Sequence, residues 1–537
     1  MSLPFFRHCL RVLLPTEQQP DTKHYHKMED QILDTRPSIE LSWAIKRQFY
    51  PTVVLLISLL RIFKFRPQRR VDHLLDTPLH GTELLHNFKD KLAFLCCTEY
   101  GSNAVSACTI LRRVDDTLEY VFAFNQVSCL DLSLRQLKKG IEDVLQLFRQ
   151  ESPFATRKDA ILSHVLAFNA IRVKAYLKSY HGHLKACIEA CTTHEIAKGE
   201  LLSKRLESLL SETERALGSS PNRGEVNALA TRKLVTSVYE TYHSDDFRLV
   251  QAHVTREEQN GGGDQYLPWA ELVHVSGRLI SYKRAVEVCQ MAFTRWPSLL
   301  EAYEVVIVPS STPTDKVLNV QALSAEGCMG KTTSPDTPLR QVFDAQYDWL
   351  RLHFRLDDKV AEIWKSKPKP FVHSEMQLLH MLEHTEGGTN NRRFFEGDMF
   401  IGTSKPPCRL CSYYFHECGT EVEIRPSHRN VYLPWRTPDV YDQQGVQSRD
   451  ETYRKIKRRL EKDLHEILKT STGDGRLHDS TNYSEAVADQ SWSDVGVFAR
   501  SQTTTPAMGE RVEEQRLWGK MRTRMTVVSC FLRPSQD

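Results

Sequence analysis

Residues 370–382 read PFVHSEMQLLHML, and residues 399–415 read MFIGTSKPPCRLCSYYF. The first stretch joins an extended apolar approach, Pro370-Phe371-Val372, to a helical stripe of Leu378, Leu379 and Leu382. His373 and Glu375 straddle that junction. Inside one helix they would point about 200° apart and could not serve one centre. They converge when His373 sits where the extended segment ends and Glu375 occupies the first helical turn.

Measured from Glu375, the three leucines lie at about 300°, 40° and 340°, so the carboxylate faces the core. Burial of a carboxylate is costly, and a neighbouring dication that activates a water offsets the cost and gives the carboxylate a proton to handle. Cys408 and Cys411 are three apart after Pro407, which places both sulfurs on one face of a first helical turn. Two thiolates and one imidazole make a three-ligand zinc site with its fourth position open, the arrangement of catalytic zinc. Cys418 lies on the same face but about 10 Å farther along the axis, out of reach of the same ion.

The HSE of 373–375 followed by the PPCRLC of 406–411 resembles the H-x-E and P-C-x-x-C pair of the zinc-dependent cytidine deaminase-like superfamily. More narrowly, VHSEMQLL with FIGTSKPPCRLC resembles the fungal OTT-type nucleic-acid or nucleotide deaminase-like proteins. The match covers roughly residues 340–435. The resemblance implies a three-layer α/β/α domain with Zn2+ on His373, Cys408 and Cys411. It implies that Glu375 shuttles a proton from the zinc-bound water to a cytosine- or adenine-type base and its leaving ammonia. Ser374 stands where alanine is frequent, and the β-hairpin that normally lines the substrate pocket is not visible between 341–364 and His373. The other reading of the same motif is a catalytically silent, zinc-stabilised interaction module; an intact Glu375 favours the enzyme.

Working outward, 537 residues with 40% hydrophobic and 26% charged side chains describe a globular chain of more than one domain. A formal net charge of +3 excludes an overall polybasic nucleic-acid binder. The run VVLLISLL at 53–60 is too short for a bilayer, which takes about 18 or more apolar residues, so no membrane association is expected. Thirteen scattered cysteines suit a reducing compartment, so the expected location is intracellular, cytoplasmic or nuclear.

Residues 40–217 read as a largely helical N-terminal region, ended by the turn formers GSSPNRG at 218–224. An α/β region is expected over 225–440, with the zinc domain at its centre. NGGGDQ at 260–265 reads as a loop, because no Gly-Lys-Ser/Thr follows to hold a phosphate. Strands are expected at YEVVIVP (303–309), DMFIG (398–402) and TEVEIRP (420–426), and helices at 341–364 and from Pro407. Residues 451–470 form a basic amphipathic helix, and 471–537 read as a disordered tail.

Three further patterns compete for chemistry. HMLEH at 380–384 fits the H-x-x-E-H zinc-protease pattern, but its histidines fall opposite the leucine stripe. Cys187 and Cys191 lie among histidines, where buried structural thiols are the simpler reading. The basic runs RIFKFRPQRR and YRKIKRRLEK lean toward a polyanion, so a nucleoside, nucleotide or single-stranded nucleic acid is the expected substrate partner.

Overall fold

The computed structural model describes residues 38–63, 81–101, 104–126, 131–150, 153–191, 200–218, 227–259, 267–311, 323–366 and 369–470. Its centre is a five-stranded mixed sheet. The strands are β1 (Ser106–Arg112), β2 (Leu118–Phe124), β3 (Tyr303–Val308), β4 (Phe400–Thr403) and β5 (Glu423–Ile424), in the spatial order β3-β2-β1-β4-β5. β1 runs antiparallel to both β2 and β4, while β3 is parallel to β2 and β5 to β4. Four strands therefore run one way and β1 the other.

The hairpin β1–β2 falls inside the stretch that reads as helical, and this corrects the sequence expectation. Helical periodicity on both flanks masks two short runs, SACTILR and LEYVFAF, separated by a polar turn. Asp116 closes that turn at φ 64°, and the Asp115 carboxylate accepts from the Thr117 N–H at 3.1 Å. Residues 40–217 thus supply the centre of the sheet as well as helices.

Among the described residues, two helices precede the hairpin, α1 (Trp43–Ile62) and α2 (Gly81–Cys96). Seven more of the described helices lie between β2 and β3: α3 (Asp131–Arg149), α4 (Phe154–Phe168), α5 (Ala170–Cys191), α6 (Glu200–Leu217), α7 (Ala228–Tyr242), α8 (Asp245–Gln259) and α9 (Leu267–Arg295). A parallel pair requires a crossover, and here the crossover is the whole helical insertion. After β3 come α10 (Ala325–Thr332), α11 (Pro338–Phe354), α12 (Leu356–Lys365) and α13 (Ser374–His384). α14 (Arg409–Glu417) lies between β4 and β5, and α15 (Gln443–Thr470) follows. The single helix expected over 341–364 is two, parted by Arg355 in the left-handed region at φ 52°. The strands expected at 303–309 and 398–402 form as β3 and β4, and TEVEIRP contributes only the two residues of β5.

Alternate strand residues feed two separate cores, as a sheet's period of two dictates. Cys108, Ile110, Tyr120, Phe122 and Phe124 join a cluster with residues of α2 to α9. Ala107, Leu111, Val121, Ala123 and Ile401 join another with residues of α1 and of α10 to α15. The apolar run at 53–60 is buried in that second cluster, and among the described residues no single helix is long and apolar enough to cross a membrane.

α2 is locked onto β4 at close range. A Cβ on Gly402 would come within 2.3 Å of the Lys89 carbonyl carbon, so only glycine permits this approach. The fully buried Lys89 ammonium donates to the Asp398 carboxylate and carbonyl, both at 2.8 Å, and to the Phe400 carbonyl at 3.2 Å. Asp90 accepts from the Thr403 N–H at 2.6 Å.

Of the other expectations, the loop at 260–265, the tail 471–537 and the boundary at 218–224 beyond Gly218 lie outside the described residues.

Candidate metal centre

β2 and β4 run in the same direction, so their C-terminal ends share one edge of the sheet, and α13 and α14 both begin there. His373 is the N-cap of α13, with extended backbone (φ −73°, ψ 152°), and Glu375 sits in the first helical turn. The leucine stripe behind them, Leu378, Leu379 and Leu382, is fully buried. Cys408 is likewise the N-cap of α14 rather than a residue inside it, and its sulfur accepts from the Cys411 N–H at 3.5 Å. Pro407 therefore precedes the cap instead of opening the helix.

Two helix starts thus bring three candidate ligands together. The His373 Nδ1 lies 3.6 Å from the Cys408 sulfur and 3.3 Å from that of Cys411, and the two sulfurs are 3.4 Å apart. Tetrahedral zinc with its ordinary bond lengths sets ligand atoms about 3.5 to 3.8 Å apart, so this triangle needs little adjustment to close on an ion. His373, Cys408 and Cys411 could hold a metal, and all three are buried.

Burial disfavours charge on each, yet the group divides its protons unequally. Burial lowers the His373 imidazole, but the Cys408 sulfur, the Glu375 carboxylate and a hydrogen bond to the Pro434 carbonyl together lift it above its ordinary range. Against the same cost of burial, the Cys411 hydrogen bond and the His373 charge bring the Cys408 thiol down to about 6. Burial and the adjacent Cys408 push Cys411 the other way. Metal ligation requires neutral imidazole and two thiolates, so an ion entering here displaces protons.

Glu375 is 4% exposed and its carboxylate is held by Ser374 Oγ at 3.3 Å and by the Cys411 thiol. Met376 places its sulfur 3.5 Å from that of Cys411, and the Trp435 indole N–H donates to Cys411 at 3.3 Å. An isolated bridge between Phe371 and Trp435, with the Arg436 N–H donating to the Phe371 carbonyl at 3.1 Å, brings the tryptophan beside the cluster.

The hairpin reaches the centre too. Asn125, just past β2, accepts from the Ser374 N–H at 2.8 Å through its side chain, occupying a free donor at the start of α13. Gln377 donates from the same helix to the Phe124 and Val372 carbonyls. Sequence reading missed Asn125, Met376, Gln377 and Trp435. A polar Asn directly after the apolar run LEYVFAF, and an isolated Trp inside LPWRTPD, were the signals.

The competing patterns settle differently. Cys187 is buried in α5 and Cys191 half-buried, and neither belongs to a ligand cluster among the described residues. Basic side chains of α15 meet acids: Arg454 and Arg458 pair with Glu451, Lys457 with Glu461 and Arg459 with Glu417. Of RIFKFRPQRR only Arg61 to Phe63 are described, and Arg61 pairs with Glu362. His380, Glu383 and His384 do come together, with ligand atoms within 4.8 Å of one another on the outward side of α13.

Compared with known proteins, residues 372–439 match a family model described as OTT_1508_deam-like deaminase. The matched segment runs from the residue before His373 to Asp439, and so contains the candidate ligand cluster, Glu375 and Trp435. No curated protein and no solved structure matches the chain.

Proposed function

We propose that this chain is a zinc-dependent aminohydrolase that replaces an exocyclic amine by a carbonyl oxygen on a cytosine- or adenine-type base, free or in a nucleotide or nucleic acid. The observation that carries the proposal is Glu375: a carboxylate buried in the first turn of α13, in contact with a ligand of the His373, Cys408, Cys411 cluster. The family match over the same residues supports it. In this reading the sheet and its two helix-lined cores are the three-layer α/β/α deaminase arrangement, with the β1–β2 hairpin drawn far upstream by the helical insertion.

The donor set suits zinc by softness and by number, because two thiolates and an imidazole leave a fourth position for chemistry. When bound, zinc supplies a Lewis acid that makes water a usable nucleophile at neutral pH. Glu375 accepts the first proton that the water gives up and delivers it to the ring nitrogen, then takes the second from the hydroxyl added at the ring carbon and delivers it to the amine, which departs as ammonia. Ser374 Oγ, 3.3 Å from the carboxylate, holds it in place. Phe371 and Tyr432, with ring centres 5.2 Å and 6.5 Å from that of His373, give the approach an apolar wall.

The test is a screen of the purified zinc-loaded chain against nucleosides, nucleotides and single-stranded oligonucleotides. Mass spectrometry reads the shift for amine-to-carbonyl exchange. Conversion of one class supports the proposal; zinc bound with no conversion across all of them favours the interaction-module reading.

A further inference from the structure

The outward side of α13 carries a second group of metal-ligating side chains that the proposed reaction does not use. His380, Glu383 and His384 occupy positions i, i+3 and i+4, which share one face of a helix. That face is opposite Leu378, Leu379 and Leu382, and it leaves His380 half-buried and Glu383 and His384 exposed. Each side chain offers one ligand atom, and the three atoms lie within 4.8 Å of one another. We infer that His380, Glu383 and His384 form a second cation site, for a borderline divalent transition metal such as Zn2+ or Ni2+.

Three features make this more than a chance of composition. First, His384 Nδ1 lies 2.8 Å from the His380 carbonyl, and a carbonyl can only accept. Nδ1 therefore carries the hydrogen, and in the neutral ring the lone pair is on Nε2, the tautomer that a metal-ligating histidine takes when its other nitrogen is hydrogen-bonded. Second, the two imidazole rings sit with centroids 4.1 Å apart and planes inclined at 46°, so they are neighbours across one turn without stacking flat. Third, a cation that acts on the site is already engaged. Arg436, which acts electrostatically on His380, is held by both oxygens of Asp439 at 2.8 Å and 3.0 Å, and Asp439 adds negative charge to the surroundings of His380.

The two sites differ in chemistry as well as place. His380 begins about 10 Å along the helix axis from His373. The inner cluster is rich in thiolate and takes the softer ion more firmly, whereas two imidazoles and a carboxylate suit Zn2+ and Ni2+ and hold them less tightly. The outer ion would span the last turn of α13, the helix whose first turn carries Glu375. Binding is what the geometry supports, and the site is independent of the proposed deamination.

Metal counting on the full-length chain tests this. Protein carrying its tightly held zinc is dialysed against rising concentrations of Zn2+, and separately of Ni2+, and bound metal is measured by elemental mass spectrometry. The expected result is one further, weaker equivalent that disappears in a His380→Ala/His384→Ala variant and in the exposed single change His384→Gln. The tightly held zinc remains in both. Circular dichroism confirms that the helix content is kept. Absence of a weaker equivalent in the parent chain, or its persistence in His384→Gln and in the double variant, overturns the inference.

Discussion

The indole N–H of Trp435 donates to the sulfur of Cys411 at 3.3 Å. The tryptophan is fully buried, with Phe49 of α1 and Tyr453 of α15 packed at ring-centre distances of 5.7 Å and 5.8 Å. The Tyr50 hydroxyl also donates to its carbonyl at 3.1 Å. Helices from opposite ends of the described chain therefore brace a residue that touches a metal-site sulfur.

Trp435→Phe keeps much of that ring packing and removes the donor. A hydrogen bond to a metal ligand orients it, and losing one commonly costs roughly 10- to 100-fold in metal affinity. We expect zinc affinity in this variant to fall by about tenfold or more, read by competition with a chelator of known strength. Unchanged affinity would show that the indole only fills space.

At the α2–β4 contact, Asp398 neutralises the buried Lys89 and also accepts from His86 at 2.7 Å. Burial raises its carboxyl, but the His86 hydrogen bond and the Lys89 charge more than compensate and hold it below the usual carboxylate range. Asp398→Asn leaves an ammonium buried without its counter-charge, a loss of roughly 3 to 5 kcal/mol. Because the folded carboxyl is the stronger acid, its contribution is complete above the unfolded value of about 3.9 and is lost as pH falls through the folded one. Denaturant unfolding should thus separate parent and variant by a constant margin at neutral pH that shrinks in acid. A margin that is absent at pH 7 would mean the carbonyls of Asp398 and Phe400 suffice for Lys89.

The parts of the centre that were legible in sequence are those whose geometry is local. His373 and Glu375 flank one helix start, Cys408 and Cys411 another, and a single turn fixes each pair. What stayed hidden depends on distant pairing. Asn125 reaches Ser374 across 249 positions, and nothing near either residue signals the other. The hairpin that carries Asn125 went unread because strands of seven residues sit between strongly periodic helices. Its turn, with Asp115 and Asp116, was the available cue. Folding pairs Arg459 of α15 with Glu417 of α14, a contact that no periodicity reveals.

Glu375 offers the sharpest test of the proposed reaction, because its position separates two roles that sequence leaves together. It is buried beside the cluster and hydrogen-bonded to Ser374 and Cys411, while the His373, Cys408, Cys411 triangle is complete without it. In the proposed reaction its work is proton transfer. Glu375→Gln preserves shape and one hydrogen-bonding oxygen but removes the base, so tightly held zinc should stay at the parent level. Turnover of whichever substrate the screen identifies should drop by on the order of 10² or more, since positioned proton transfer contributes about that much. Stability should change little, because a neutral isostere replaces a buried charge. Metal analysis and single-turnover kinetics on the same preparation give the decision. Parent-level turnover would remove Glu375 from the mechanism, and loss of zinc with turnover would make it a ligand instead of a base.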